Sequence, residues 1–217
     1  PLTSIRSAVE TAQTVKDPAA KEKMMNVIAR DVVRLDRLIS DISNLSRLEA
    51  EIVREKLSRV DLRKLLEDIV SIYADTARES DARVKLVATP GGATDVMGRE
   101  GPLGQVLRNL VENARSFSPP GGSVRLTILP PADRDNVARV LIDDDGPGIP
   151  DDALEKIFTR FYTKRPAGAA FGANSGLGLA ISEQIVRSHG GAIHAENRIG
   201  PDGRKLGARF VVALALA

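Results

Sequence analysis

The sequence predicts an α+β protein: a helical hairpin that pairs with a second copy into a four-helix bundle dimer, followed by an α/β sandwich with helices on one face of a sheet. Two observations predict it. Residues 19–52 contain no glycine or proline and keep a single helical rhythm. From about residue 54 the rhythm breaks, and short β-rich runs alternate with amphipathic helices. The implied division is residues 1–53 for the hairpin and 54–217 for the sandwich.

In the hairpin, Met24, Ile28, Asp31, Leu35, Leu38, Ile42 and Leu45 follow alternating steps of four and three. That is an a/d seam for a partner helix, with Arg34, Asp36, Arg37 and Asp41 on the solvated flanks. Leu2, Ile5, Val9 and Ala12 give a shorter stripe upstream, and Lys16-Asp17-Pro18 separates the two, with Pro18 at the start of the second helix. A lone hairpin leaves one side of its seam uncovered, which is why pairing into four helices is expected.

In the second region, Asp61 is read as the N-cap of a helix that buries Leu62, Leu65, Leu66, Ile69 and Ile72. Val84–Val87 reads as a strand, 98–117 as a helix, and Ser123–Leu129 and 137–142 as strands around a polar turn. A helix over 177–188 and strands over 192–197 and 208–216 complete the order. Residues 163–176 are rich in Gly and Ala and aperiodic, as a lid loop would be.

Composition narrows the function. With 42% hydrophobic and 28% charged among 217 residues, the chain buries a core and is not disordered. A net charge of +2 and 3% aromatics, with no basic cluster interleaved with rings, argue against nucleic acid. No cysteine is present, which excludes disulfides, thiolate metal sites and a cysteine nucleophile. No apolar run approaches the ~18–20 residues of a membrane helix, and no signal peptide is visible. The chain opens inside a helical pattern and reads as an excerpt.

Three features carry chemistry. Asn109 and Asn113 lie one turn apart on a helix face, where two amide oxygens could join phosphates around Mg²⁺, or form an ordinary polar face. Asp143-Asp144-Asp145 ends a strand, followed by Gly146-Pro147-Gly148. Successive strand residues point in opposite directions, so the three carboxylates do not converge on one ion, and the calcium-loop spacing is missing. A plain turn explains the glycine and proline. The other reading lays a ring against the glycines while one carboxylate accepts from the amine of adenine, a contact guanine cannot make. Third, Gly176 and Gly178 stand where a helix begins, so the backbone and dipole there suit phosphate. No strand precedes them, so this is not the dinucleotide fingerprint.

Taken in order, Asn109–Asn113, D-D-G-P-G at 144–148, F-T-R-F-Y at 158–162, G-L-G-L at 176–179 and Gly207 resemble the N, G1, F, G2 and G3 boxes of sensor histidine kinases. Residues 34–50 resemble the second helix of that family's dimerisation domain, and 1–6 the segment after its phospho-acceptor histidine. The wording from Phe161 through Leu179 is further similar to ChvG-type envelope sensors of alphaproteobacteria. The resemblance implies a Bergerat-type ATP-binding sandwich, ATP and Mg²⁺ as cofactors, a homodimer, and a response-regulator receiver domain as partner. It also implies the cytoplasmic portion of a bacterial inner-membrane sensor, attached to the membrane only through an upstream segment.

Residue by residue, the resemblance implies that Asp144 accepts from the adenine amine, with Gly146, Gly148 and Ile149 around the base. Asn113 would ligate Mg²⁺ with Asn109 assisting. Gly176, Leu177 and Gly178 would border the triphosphate, and Phe158 and Phe161 would anchor the lid. Asp143 and Asp145 would be structural, at a strand end and in a solvated turn. The chain departs from the family at Thr163, where Arg is usual, leaving Lys164 or Arg165 to supply phosphate charge. It departs again at Ser116, where a basic residue is common and Arg115 stands one place earlier. The acceptor histidine is expected five places before Pro1, and His189 and His194 read as capping and packing residues. Two rivals remain: a module that binds ATP without transfer, and another ATPase of the same fold. The latter usually carries Glu at the position of Asn109 and lacks the hairpin.

Overall fold

The computed structural model describes residues 2–54, 56–76, 81–87, 94–129, 131, 136–162 and 176–217, with side chains at 34, 37, 38, 40–42 and 44–54 outside the described set. Leu38, Ile42 and Leu45 of the expected seam therefore fall outside it, as do Thr163, Lys164 and Arg165.

Helix α1 (Leu2–Thr14) and helix α2 (Pro18–Arg54) form the hairpin. Asp17 caps α2, its Oδ1 accepting from Ala19 N–H at 3.1 Å, and Pro18 takes the first helical position, where its missing N–H costs nothing. Ala8 is buried, whereas Leu2 and Val9 are exposed. On α2, Met24, Ile28, Asp31 and Leu35 are half-buried. A different row, Met25, Val32 and Ile39, stands exposed at seven-residue spacing.

The remaining elements are β1 (Ser58–Asp61), α3 (Leu62–Thr76), β2 (Arg83–Val87), β3 (Asp95–Gly98), α4 (Glu100–Phe117), β4 (Ser123–Leu129), β5 (Val137–Asp143), α5 (Gly178–Ser188), β6 (Ala192–Ile199) and β7 (Lys205–Ala215). Five strands make one sheet in the order β2-β4-β5-β7-β6, with β2–β4 parallel and the other pairs antiparallel. Alternation sorts the faces. Val124, Leu126, Ile128, Val140, Ile142, Phe210 and Val212 are buried with residues of α3, α4 and α5 in one core. Arg125, Arg139, Asp143 and Arg209 take the opposite parity and point to the other face.

Asp61 does cap α3, accepting from Arg63 and Lys64 N–H at 2.9 and 3.2 Å. Several boundaries differ from expectation. β1 and β3 were not anticipated, and their antiparallel pairing occupies Asp95–Gly98, so α4 begins at Glu100 rather than residue 98. Each of these strands has only four residues, too few for a period to register. Ile72 is 52% exposed and Tyr73 replaces it inside, four residues beyond Ile69, because the helical period carries the buried stripe to that position.

His189 closes α5. Its Nδ1–H donates to Ile185 O at 2.8 Å and its Nε2 accepts from Arg99 N–H at 3.0 Å. Both ring nitrogens are satisfied only in the neutral form, since a proton on Nε2 would face a donor. Burial, first, and the neighbouring Arg99 hold the imidazole below its ordinary value. The unfolded chain therefore takes up a proton below about pH 6.5 that the folded chain refuses. Stability is complete above that pH and falls as pH drops through and below it. Denaturant titrations between pH 7.5 and 5 are expected to show a smaller decline in His189→Gln than in the parent. Equal declines would show that His189 carries no such linkage.

Candidate functional site

β5 delivers the aspartates, and their alternation separates them. Asp143 points away from the helices and pairs with Arg209, whose Nε and Nη2 reach its two oxygens at 2.7 and 2.9 Å. Asp145 returns to the same side, where Arg125 Nη2 donates to Oδ1 at 2.6 Å and Ser123 N–H to Oδ2 at 3.0 Å. Arg198 joins both carboxylates, at 3.6 Å from Asp143 and 3.4 Å from Asp145. The strand register makes this a row: Arg125 faces Asp143, Asp143 faces Arg209, and Arg209 faces Glu196. Signs alternate across four strands, as cross-strand pairs favour. Asp145 is thus not a solvated turn residue. The hydrogen bond from Arg125 is the main reason its carboxyl lies below the usual range.

Asp144 points the other way and is 2% exposed. Gly146 N–H and Ala208 N–H both donate to its Oδ1, at 2.8 and 3.0 Å. Among the described residues, no hydrogen bond reaches Oδ2. Burial pushes this carboxyl up from its ordinary value, and the two backbone donors pull it partly back. An aspartate with one oxygen satisfied by the fold and the other unengaged is suited to an external donor.

Glycines shape the surroundings. A Cβ on Gly146 would sit 2.8 Å from Phe117 O and 2.9 Å from Asp144 Oδ1. Gly207, at φ 138°, packs its Cα directly on the Asp144 carbonyl. Gly178 differs, since a Cβ there would meet only Asn109, at an ordinary 3.7 Å. α4 thus has Gly178 beside Asn109 and Gly146 beside Phe117, about 12 Å apart along the helix at 1.5 Å per residue. Asn113 lies between them.

Asn109 is half-buried, and its Nδ2 donates to Gly178 O at 3.2 Å and Ser182 Oγ at 3.4 Å, which turns its oxygen the other way. No hydrogen bond among the described residues reaches the Asn113 side chain. Gly148 stands at φ 78° and Gly176 at φ 78°. Ile149 is partly buried against the core. Leu177 is 0% exposed, so its side chain is core and not ligand-facing. Phe161 is 62% exposed at φ 65°, and the lid it was expected to anchor lies outside the described residues. Its N–H donates to Gly176 O at 2.9 Å, while Phe158 packs on the core. Among the described residues no three His, Asp or Glu side chains gather as a metal site.

Among the residues here that were not singled out in the sequence are Arg125, Asn197, Arg198, Lys205 and Arg209. Asn197 Oδ1 accepts from Ile149 N–H at 2.7 Å and its Nδ2 donates to Ile149 O at 2.8 Å. Lys205 Nζ reaches Ile149 O and Asp151, at 2.9 and 2.8 Å. The sequence signal for these residues is only the polar alternation that any outward sheet face gives.

Comparison with known proteins identifies the two domains. Residues 98–217 match the model of the histidine kinase-, DNA gyrase B-, and HSP90-like ATPase family, and residues 1–51 that of the His Kinase A (phospho-acceptor) domain. The sensor protein ChvG of Rhizobium meliloti is 47% identical over 99% of this chain and 38% of its own length. The kinase/phosphatase MprB of a Mycobacterium species is 34% identical over 99% of this chain and 41% of its own. The chain therefore spans about two fifths of these relatives. Among solved structures, a mycobacterial MprB superposes with TM-score 0.59 at 28% identity, over 73% of this chain and 97% of that one. Full-length ShkA, solved with AMPPNP, gives TM-score 0.68 at 25% identity, over 99% and 44%. With the ATPase family model covering more than half of it and the phospho-acceptor hairpin placed in front, the chain belongs to the histidine kinases.

Proposed function

We propose that this chain is the kinase core of a homodimeric sensor. It binds Mg-ATP, transfers the γ-phosphoryl to a histidine upstream of Pro1, and that phosphoryl passes to an aspartate in a response-regulator receiver domain. Residues 1–53 form the dimerisation hairpin and 54–217 the ATP-binding unit. The observation that carries the reading is Asp144, a buried carboxylate with both of its hydrogen bonds on Oδ1. The adenine amine donates to Oδ2, with Gly146 and Gly148 under the ring and Ile149 beside it. Guanine presents a carbonyl there and is refused. The AMPPNP found with ShkA supports a nucleotide in the corresponding domain.

The amide oxygens of Asn113 and Asn109 suit Mg²⁺, a hard cation that takes oxygen ligands. When bound, Mg²⁺ supplies charge neutralisation at the phosphate oxygens. Gly176, Leu177 and Gly178 lie along the triphosphate through their backbone at the N-terminus of α5, and Lys164 or Arg165 adds charge from the lid. Among the described residues, nothing demands glycine at position 178. Gly178→Ala is therefore expected to leave folding stability within about 0.5 kcal/mol while weakening ATP. Unchanged ATP affinity in that variant would remove the triphosphate from this helix end.

Dimerisation is supported by the exposed row of Met25, Val32 and Ile39, at 55%, 50% and 62% exposure and one heptad apart. Covering each such side chain contributes roughly 1.5–3 kcal/mol. Val32→Asp with Ile39→Asp is expected to yield monomers that still bind ATP, and an unchanged mass by light scattering would rule this face out. The family also supports a cytoplasmic position below an inner-membrane segment outside this chain. No described helix is long and apolar enough to cross a membrane. The activity is tested by extending the chain upstream to include the expected histidine and incubating it with labelled ATP. Acid-labile, alkali-stable label on that histidine is the expected result, and ATP binding without label would sink the transfer reading.

A further inference from the structure

The end of β6 holds the segment 144–151 from two sides. β6 is an edge strand of the sheet, and its register with β7 shifts between Arg198 and Ile199. Adjacent strand residues project to opposite faces. Asn197 and Arg198 therefore reach the same neighbouring segment from opposite directions, just where a bulge re-aims side chains.

On one side, Asn197 gives Ile149 both bonds a neighbouring strand would give: it accepts from the N–H at 2.7 Å and donates to the carbonyl at 2.8 Å. The same Nδ2 donates to Asp151 Oδ1 at 3.1 Å. The contact is close enough that a Cβ on Gly148 would come within 2.7 Å of Asn197 Oδ1. On the other side, Arg198 Nη1 donates to the carbonyl oxygen of Asp144 at 2.7 Å and lies 3.4 Å from Asp145 Oδ1. Its Nε is 3.6 Å from Asp143 Oδ2. Asp144 N–H donates to Ala208 O. Arg198 thus takes over the carbonyl at the point where the β5–β7 pairing ends. One guanidinium touches all three aspartates, and at Asp144 it bonds the backbone carbonyl rather than the carboxylate.

We propose that Asn197 and Arg198 are positioning residues that set selectivity for the adenine amine. Arg198 fixes the backbone from which Asp144 projects, and Asn197 fixes the Gly148–Ile149 backbone across from it. The proposal rests on the reading of Asp144 as acceptor of the adenine amine. Neither residue touches the base. Each acts by holding the distance between the acceptor carboxylate and the backbone on which the ring lies, and a small misplacement there is costly because a hydrogen bond weakens steeply with distance and angle.

The test uses the full chain and takes the ratio of Kd for purine riboside triphosphate, which lacks only the exocyclic amine, to Kd for ATP. The ratio isolates recognition of that amine. Arg198→Met and Asn197→Ala are each expected to reduce the ratio about tenfold, the effect of losing one well-directed charged hydrogen bond. Arg198→Lys, which keeps one donor and the charge, is expected to recover part of it. Melting temperatures are measured alongside, and if Arg198→Met does not fold, Arg198→Lys and Asn197→Ala carry the comparison. A ratio within twofold of the parent in both positions, with Asp144→Asn losing it, overturns the proposal and leaves the Asp144 reading standing. Equal weakening of both nucleotides with a lowered melting temperature means a structural role only and also overturns it. A ratio unchanged in Asp144→Asn overturns the Asp144 reading and this proposal with it.

Discussion

Asp144→Asn is expected to weaken ATP by about 1.5–3 kcal/mol, the range for a hydrogen bond to a charged group, or roughly ten- to more than a hundredfold in Kd. The substitution is nearly isosteric, and the amide oxygen can still accept from Gly146 and Ala208 N–H, the two bonds that Oδ1 holds now. That fixes the amide nitrogen where Oδ2 stands, so a donor meets the donor of the adenine amine. Folding has no reason to suffer. Burial already pushes the Asp144 carboxyl up, so the charged form carries a desolvation cost that the amide lacks. Loss of ATP with an unchanged or slightly raised melting temperature is the combination to look for, with GTP gaining relative to ATP. Asp143→Asn should do the opposite. It weakens the pairing with Arg209 and lowers stability, with little direct effect on the base. Calorimetry giving equal ATP affinities for the two variants would refute the assignment.

The contrast between neighbouring aspartates shows what a sequence carries and what it withholds. That Asp143, Asp144 and Asp145 cannot share one ion follows from strand alternation alone, and the structure keeps them apart. Which arginines take the outer two does not follow. Arg125, Arg198 and Arg209 lie up to 84 residues apart in the chain, since 209 − 125 = 84. They meet only because β4, β5, β7 and β6 align in one register. Register is a tertiary property, and a strand-by-strand reading contains no term for it. Asn197 was hidden for the same reason. An asparagine near a strand end reads as a turn residue until its partner, Ile149, is known to lie across from it.

Long periodic elements were legible and short ones were not. α2, α3, α4 and α5 carry enough turns for their apolar spacing to repeat, and Asp61 marks a helix start through side-chain bonds that need only local sequence. β1 and β3 exist because they pair with each other over four residues. The hairpin was legible as a helix pair but not in its outward face. The half-buried row of α2, apolar except for Asp31, and the exposed Met25, Val32 and Ile39 share helical spacing, and only burial in the fold distinguishes them.

Gly207→Ala is expected to be the most damaging single substitution to folding, at about 3 kcal/mol or more, since it combines backbone strain with a steric collision. Gly207 holds φ at 138°, a region L side chains rarely occupy. An added methyl would also run into the carbonyl oxygen and carbon of Asp144, and backbone atoms cannot swing aside as a flexible side chain would. The carbonyl is also held by Arg198 and through the chain by the Asp144–Ala208 bonds. Relief therefore requires either β7 to leave β5 or Asp144 to move. In the first case Phe210, 1% exposed in the core, loses its packing. In the second the acceptor for the base is displaced. Gly203→Ala provides the control, because Gly203 also has a positive φ, at 78°, yet a Cβ there meets nothing. That variant should lose only the strain component, about 1–2 kcal/mol for a residue held in the left-handed region. Denaturant unfolding of the two variants separates strain from collision. If Gly207→Ala costs no more than Gly203→Ala, the contact between Gly207 and Asp144 does not constrain the site.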